Sequence, residues 1–141
     1  MKLAHSLALL VMAALTMPSA LADFHILRGV QTNTGYSYDV ACPSDYYYCD
    51  CFMHASRGAG ITMVGGGLSY GFSTQGNLCG MGQLDFRLQN DGHWEFYVHN
   101  GDGSLQGTCS SNIGSILNCP HSPDDYFFYE QLLCSSYICN P

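Results

Sequence analysis

The sequence predicts a mainly β protein: one small, disulfide-rich antiparallel domain, a sandwich or small barrel, with little helix. Three observations carry this expectation. The chain of 141 residues holds 10 Tyr, 7 Phe and 16 Gly, a composition that suits pleated surfaces joined by tight turns. Apolar residues recur with period two far more than with the helical period. Eight cysteines form an even set, as expected of a small exported domain stapled by disulfides.

Residues 1–22 read as a secretory signal. Lys2 sits in a short polar head, Leu7 to Met17 form an apolar run, and Ala20-Leu21-Ala22 gives the small-x-small pattern of a cleavage site. The run is shorter than the roughly 20 apolar residues a membrane helix needs. Residues 23–141 are then the mature domain, long enough for one core and too short for two. Phe24 to Gln31 is the first expected strand, with Phe24, Ile26 and Val30 on one face. Tyr36 to Val40 is the second. Ile61 to Val64 and Leu68 to Phe72 read as a hairpin about Gly65-Gly66-Gly67.

Gln83 to His99 is the clearest element. Leu84, Phe86 and Leu88 alternate with polar residues, Asn90-Asp91-Gly92 forms the turn, and Trp94, Phe96 and Val98 alternate in return. A three-residue loop sets Leu88 against Trp94, Phe86 against Phe96 and Leu84 against Val98. On the other face it sets Arg87 against Glu95 as an opposite-charge pair. Two ring-rich segments, Asp45 to Met53 and Tyr126 to Cys134, are expected as strands or single helical turns. Ser44 and Ser122-Pro123-Asp124-Asp125 are the competing helix-start signals.

Cys42, Cys49, Cys51, Cys79, Cys109, Cys119, Cys134 and Cys139 are expected to form four disulfides, each stabilising the fold by about 2–4 kcal/mol. Sequence leaves the pairing open. Cys49 and Cys51 are expected to bridge to different partners, and Cys139 to pin the C-terminus. The chain has no Cys-x-x-Cys pair, so no metal site is expected from these cysteines.

The net charge is −7, from eleven acidic residues against four basic ones. Beyond Lys2 of the leader, only Arg28, Arg57 and Arg87 are basic. A domain without lysine cannot use a P-loop lysine or a Schiff base. Its acidic surface repels phosphate backbones and anionic lipids, so neither a nucleic-acid partner nor membrane insertion is expected. No cofactor is implied, and no Asn-x-Ser/Thr site invites N-glycosylation.

No motif assigns a catalytic centre. His93, Glu95 and His99 share one strand face with Arg87 opposite. Imidazole, carboxylate and guanidinium together suit ribonuclease-type chemistry, in which a base takes the 2′-hydroxyl proton and Arg steadies the phosphorane. The plainer reading is a solvated hairpin face. Asn100-Gly101-Asp102-Gly103 reads as a turn, since it lacks the further ligands of a calcium loop. The binding candidates are the ring runs: Tyr46, Tyr47, Tyr48, Tyr126 and Tyr129. Exposed, such rings stack on sugars or anchor a protein partner. Buried, they cover core and disulfides.

The layout resembles the small secreted cysteine-rich, effector-like proteins of filamentous fungi. The likeness lies in the leader ending Ala20-Leu21-Ala22, the block from Cys42 to Cys51, the Leu78-Cys79-Gly80 turn and the segment from Cys134 to Pro141. It implies secretion, four disulfides and an extracellular interaction role, and it carries no functional residues across. The expected function is therefore a non-enzymatic extracellular interaction protein. The alternatives are a cell-wall glycan-binding module and a small secreted ribonuclease-type hydrolase.

Overall fold

The computed structural model describes residues 22–63 and 71–139. Residues 1–21 of the expected leader, the Gly65-Gly66-Gly67 turn and the last two residues lie outside them. Nine strands are described: β1 (Ala22–Gln31), β2 (Ser37–Pro43), β3 (Ala59–Met63), β4 (Gly71–Gln75), β5 (Leu84–Leu88), β6 (Trp94–Val98), β7 (Leu105–Ser111), β8 (Ile116–Cys119) and β9 (Tyr126–Ser136). One α-helix, α1 (Cys49–His54), and 3-10 turns at Ser44–Tyr46 and Leu78–Gly80 complete the described elements. The expected mainly β, disulfide-rich domain is therefore what the chain forms.

Strands β1 to β7 pair in sequence order, β7 pairs with β9, and β9 returns to β1, closing an eight-stranded antiparallel barrel. Strand β9 is long enough to take two neighbours on its second edge. Its residues 132–136 pair with β7 and its residues 126–129 with β8. The β5–β6 register matches the sequence expectation: Leu84↔Val98, Phe86↔Phe96 and Leu88↔Trp94, with Arg87↔Glu95 between them. Asp45 to Met53, read as a strand or a helical turn, holds two helical pieces, the Ser44–Tyr46 turn and α1, joined through Tyr47 and Tyr48. Tyr126 to Cys134 lies within β9. Phe52 shows why the first segment folds over: its ring is fully buried against the outer wall of the barrel, where α1 delivers it.

Two cores result. The barrel interior holds Phe24, Ile26, Phe72, Leu84, Phe86, Trp94 and Phe96. Phe72 and Phe86 stack at 4.4 Å between centroids, and Phe86 and Phe96 at 5.0 Å. Gly107 stands opposite Phe96, and a Cβ there would meet the Phe96 ring at 2.6 Å, so the ring needs the glycine. The second core lies outside the wall, where Leu27, Val40, Phe52 and Phe128 meet under α1. Each core carries a bridge among its buried residues, Cys109–Cys134 in the barrel and Cys42–Cys51 outside. Cys49–Cys119 ties α1 to β8, and Cys79–Cys139 pins the C-terminal segment. Cys49 and Cys51 thus have different partners, as expected.

The junction of the two cores is a β-bulge. Ile26 pairs with Leu132, but the next pair is Leu27↔Glu130, which leaves Gln131 as an extra residue in β9. Strict alternation would aim Glu130 inward with Leu132 and Cys134. The extra residue reverses the phase, so Glu130 and Phe128 share the outer face with Leu27 and Gly29.

Candidate functional site

The hairpin candidates lie where the sequence places them, on the outer face of β5 and β6, but they do not form one constellation. Glu95 accepts hydrogen bonds from the Tyr97 hydroxyl and from His93 Nε2, the latter at 3.4 Å. His93 Nδ1 bonds Asp91, and this contact, with smaller help from Glu95, raises the His93 pKa above its ordinary 6.5. Arg87 stands opposite Glu95, yet its guanidinium lies over the Tyr97 ring at 5.4 Å. The expected ion pair is thus replaced by a ring contact. His99 belongs to a separate group: its Nδ1 lies 2.8 Å from Asp85 Oδ2, and Ser73 Oγ donates to Asp85 Oδ1 at 2.6 Å.

The order of that second group decides what it can do. A nucleophilic triad needs the imidazole between hydroxyl and carboxylate. Here the carboxylate is in the middle, so His99 accepts no proton from Ser73. Burial pushes the Asp85 carboxyl up, but the hydrogen bonds from Ser73 and His99 and the nearby charges hold it below its ordinary 3.8. Asp85, Arg87 and His99 line a depression of about 490 Å³, which Glu95 and His93 do not line.

The tyrosine candidates separate by face. Tyr126 packs against the outer core beside Tyr38 and Phe128. Tyr46 lies under Arg57, whose guanidinium is 4.4 Å from the ring centre. Tyr48 is exposed, edge-on to Tyr46. Tyr129 points the other way from Tyr126 and Phe128. Its cross-strand row is Ile116, Tyr129, Arg28 and Asp39, and the next row on that face is Asn118, Phe127, Val30 and Ser37. Ile116 is 60% exposed and Tyr129 41%. Arg28 and Asp39 form a two-pronged pair at 3.1 and 3.0 Å in the floor. This is the barrel's inner face carried past the barrel rim on β2, β1, β9 and β8, where no described element packs over Tyr129 and Ile116.

Tyr47 leads to a site that the sequence reading did not assemble. With His25, Asn112, Ser115, Ile116, Glu130 and Leu133 it lines an open groove of about 550 Å³ at the bulge, beside the step from β7 to β8. Glu130 is 3% exposed. One of its oxygens bonds His25 Nδ1, and the other accepts from Asn112 Nδ2 at 3.0 Å. Tyr47 packs edge-on to His25 with ring centres 4.6 Å apart, and burial, then the Glu130 charge, raises its phenol pKa. No sequence signal joins these residues, since His25 and Glu130 are 105 positions apart.

Among the described residues, no three His, Cys, Asp or Glu side chains converge as a metal site. Compared with protein-family models, curated proteins and solved structures, the chain matches none.

Proposed function

We propose that this is a secreted, non-enzymatic interaction protein, of the effector- or defence-like kind found among fungal cysteine-rich proteins, that binds a protein outside the cell. Four disulfides in one small domain suit an oxidising compartment. The interior is packed with Phe rings, so recognition falls to the outer surfaces. The observation that carries the reading is the sheet face bearing Ile116, Tyr129, Phe127 and Val30, in which apolar side chains surround the Arg28–Asp39 pair. Contiguous exposed apolar surface of this kind marks binding sites, and aromatic residues with Arg are over-represented at protein interfaces.

A protein fits this face better than a sugar chain does. Aliphatic Ile116 and Val30 offer no ring for a pyranose to stack on. The tyrosines elsewhere do not make a flat platform either, because Tyr46–Tyr48 and Tyr38–Tyr126 meet at 63° and 69°. The test is retention of a defined extracellular protein by the immobilised, disulfide-bonded chain. Tyr129→Ser and Ile116→Ser should each release that partner without changing the far-UV spectrum. Saturable co-sedimentation with chitin, β-glucan or cellulose would replace this reading with glycan binding. Cleavage of RNA that disappears in Glu95→Gln would replace it with catalysis.

A further inference from the structure

Glu130 is a buried carboxylate with no permanent countercharge among the described residues. The described cations are all engaged elsewhere: Arg28 with Asp39, Arg57 with Tyr46, and Arg87 over Tyr97. Among the described residues, His25 alone places a positive charge beside it, and only in its protonated form. A buried charge is costly unless it is paired and fully hydrogen-bonded. A carboxylate offers about four acceptor positions, and His25 and Asn112 take two. The carboxylate nevertheless lines an open groove, reachable from outside.

We propose that this groove is a receptor for one cationic side chain, a lysine ammonium or arginine guanidinium, presented by a protein partner. Glu130 supplies the countercharge and Asn112 holds the carboxylate in place. The Tyr47 ring supplies the aromatic surface that attracts a cation. Leu133 and Ile116 give apolar walls suited to the methylene stem of Lys or Arg. That stem distinguishes a basic side chain from a cationic amino sugar, whose ring is hydroxylated throughout. The net charge of −7 draws basic partners toward the surface generally. The inference rests on the extracellular-interaction reading for the partner's class. The Glu130 carboxylate lies on the opposite face of β9 from Tyr129, and the two surfaces share Ile116.

The test is an NMR titration of the ¹⁵N-labelled, disulfide-bonded protein with four probes: N-acetyl-lysine amide, N-acetyl-arginine amide, neutral N-acetyl-norleucine amide and glucosamine. Lysine or arginine probe should shift the Asn112 side-chain amide and the Ser115 and Ile116 backbone amides saturably, and norleucine should not. Glu130→Gln should weaken that binding by about ten-fold or more. Tyr47→Leu, which keeps the carboxylate, should weaken it by about three-fold. Equal shifts with norleucine, shifts confined to Asp85, Asp91 and Glu95, tighter binding of glucosamine, or unchanged affinity in both variants would each overturn the proposal. A partner that is lost with Tyr129→Ser yet kept with Glu130→Gln would leave the interaction reading standing and end this one.

Discussion

His25–Glu130 and His93–Glu95 are both imidazole–carboxylate pairs on the outer surface of one barrel, yet they are built in different ways. The second pair is local. Its members lie two positions apart at the start of β6, neighbours at Asp91 and Tyr97 share its hydrogen bonds, and both side chains reach solvent, at 37% and 25% exposed. The first pair joins β1 to β9 across 105 positions and buries its carboxylate beneath Tyr47 and the β7–β8 step. In water the same two groups interact weakly, whereas away from water each partner becomes a condition for the other. Exposure, more than residue type, separates a solvated face from a site with unmet electrostatic demand.

The severest way to break this comparison is to remove the bulge. Deleting Gln131 sets Glu130 directly before Leu132 in a regular strand, so Glu130 and Phe128 keep the outer face. The bend and the carbonyl that accepts from the Asn112 backbone N–H are lost, at a cost of about 4 kcal/mol in urea unfolding. Gln131→Ala keeps the extra residue and should change stability by no more than about 0.5 kcal/mol. A deletion variant as stable as the parent would show that β9 does not depend on the bulge.

Next in size is the pair of carboxylate truncations. Glu130→Ala leaves half-buried His25 and Asn112 without their shared partner and should cost about 3 kcal/mol in urea unfolding. Glu95→Ala, on the wetter hairpin, should cost less than about 1 kcal/mol. Equal losses would erase the distinction between the clusters.

The contrast also explains what the sequence made legible. The β5–β6 hairpin was readable to the residue because turn, alternation and the opposed Arg87 and Glu95 all lie within one short segment. The site at Glu130 was not. Phe128, Glu130, Leu132, Cys134 and Ser136 are all buried, so the period-two pattern runs unbroken through the bulge. The burying face changes at Gln131: inside the barrel Leu132 and Cys134 are covered, and outside it Phe128 is covered by the layer bearing Phe52. A pattern of burial records whether a residue is covered and not by what. The Tyr126-Phe127-Phe128-Tyr129 run was ambiguous for the same reason, since each of its faces meets a different environment.

Smaller effects sharpen the picture of the exposed cluster. His93 has a raised pKa, first through its bond to Asp91. Its contribution to stability is therefore complete below the ordinary 6.5 and is lost as pH rises through the higher folded value. Asp91→Asn should bring the His93 titration, followed by its ring proton resonance, down toward 6.5. Asp85 behaves in the opposite sense. Its lowered pKa gives a contribution present above 3.8 that is lost as pH falls through the folded value. Ser73→Ala removes one of the bonds that lower it, so the Asp85 carboxyl titration should move upward.

The chain offers an internal comparison for the central claim, because Glu95 and Glu130 are its only glutamates. Selective ¹³C labelling of the Glu side-chain carboxyl therefore gives one signal from each cluster. The measurement is the movement of both signals as N-acetyl-lysine amide or N-acetyl-arginine amide is added at fixed pH and salt. If the buried cluster is the one built to receive a cation, the Glu130 signal shifts saturably while the Glu95 signal stays in place. Parallel, non-saturating drift of both signals, or a shift of Glu95 alone, would contradict it.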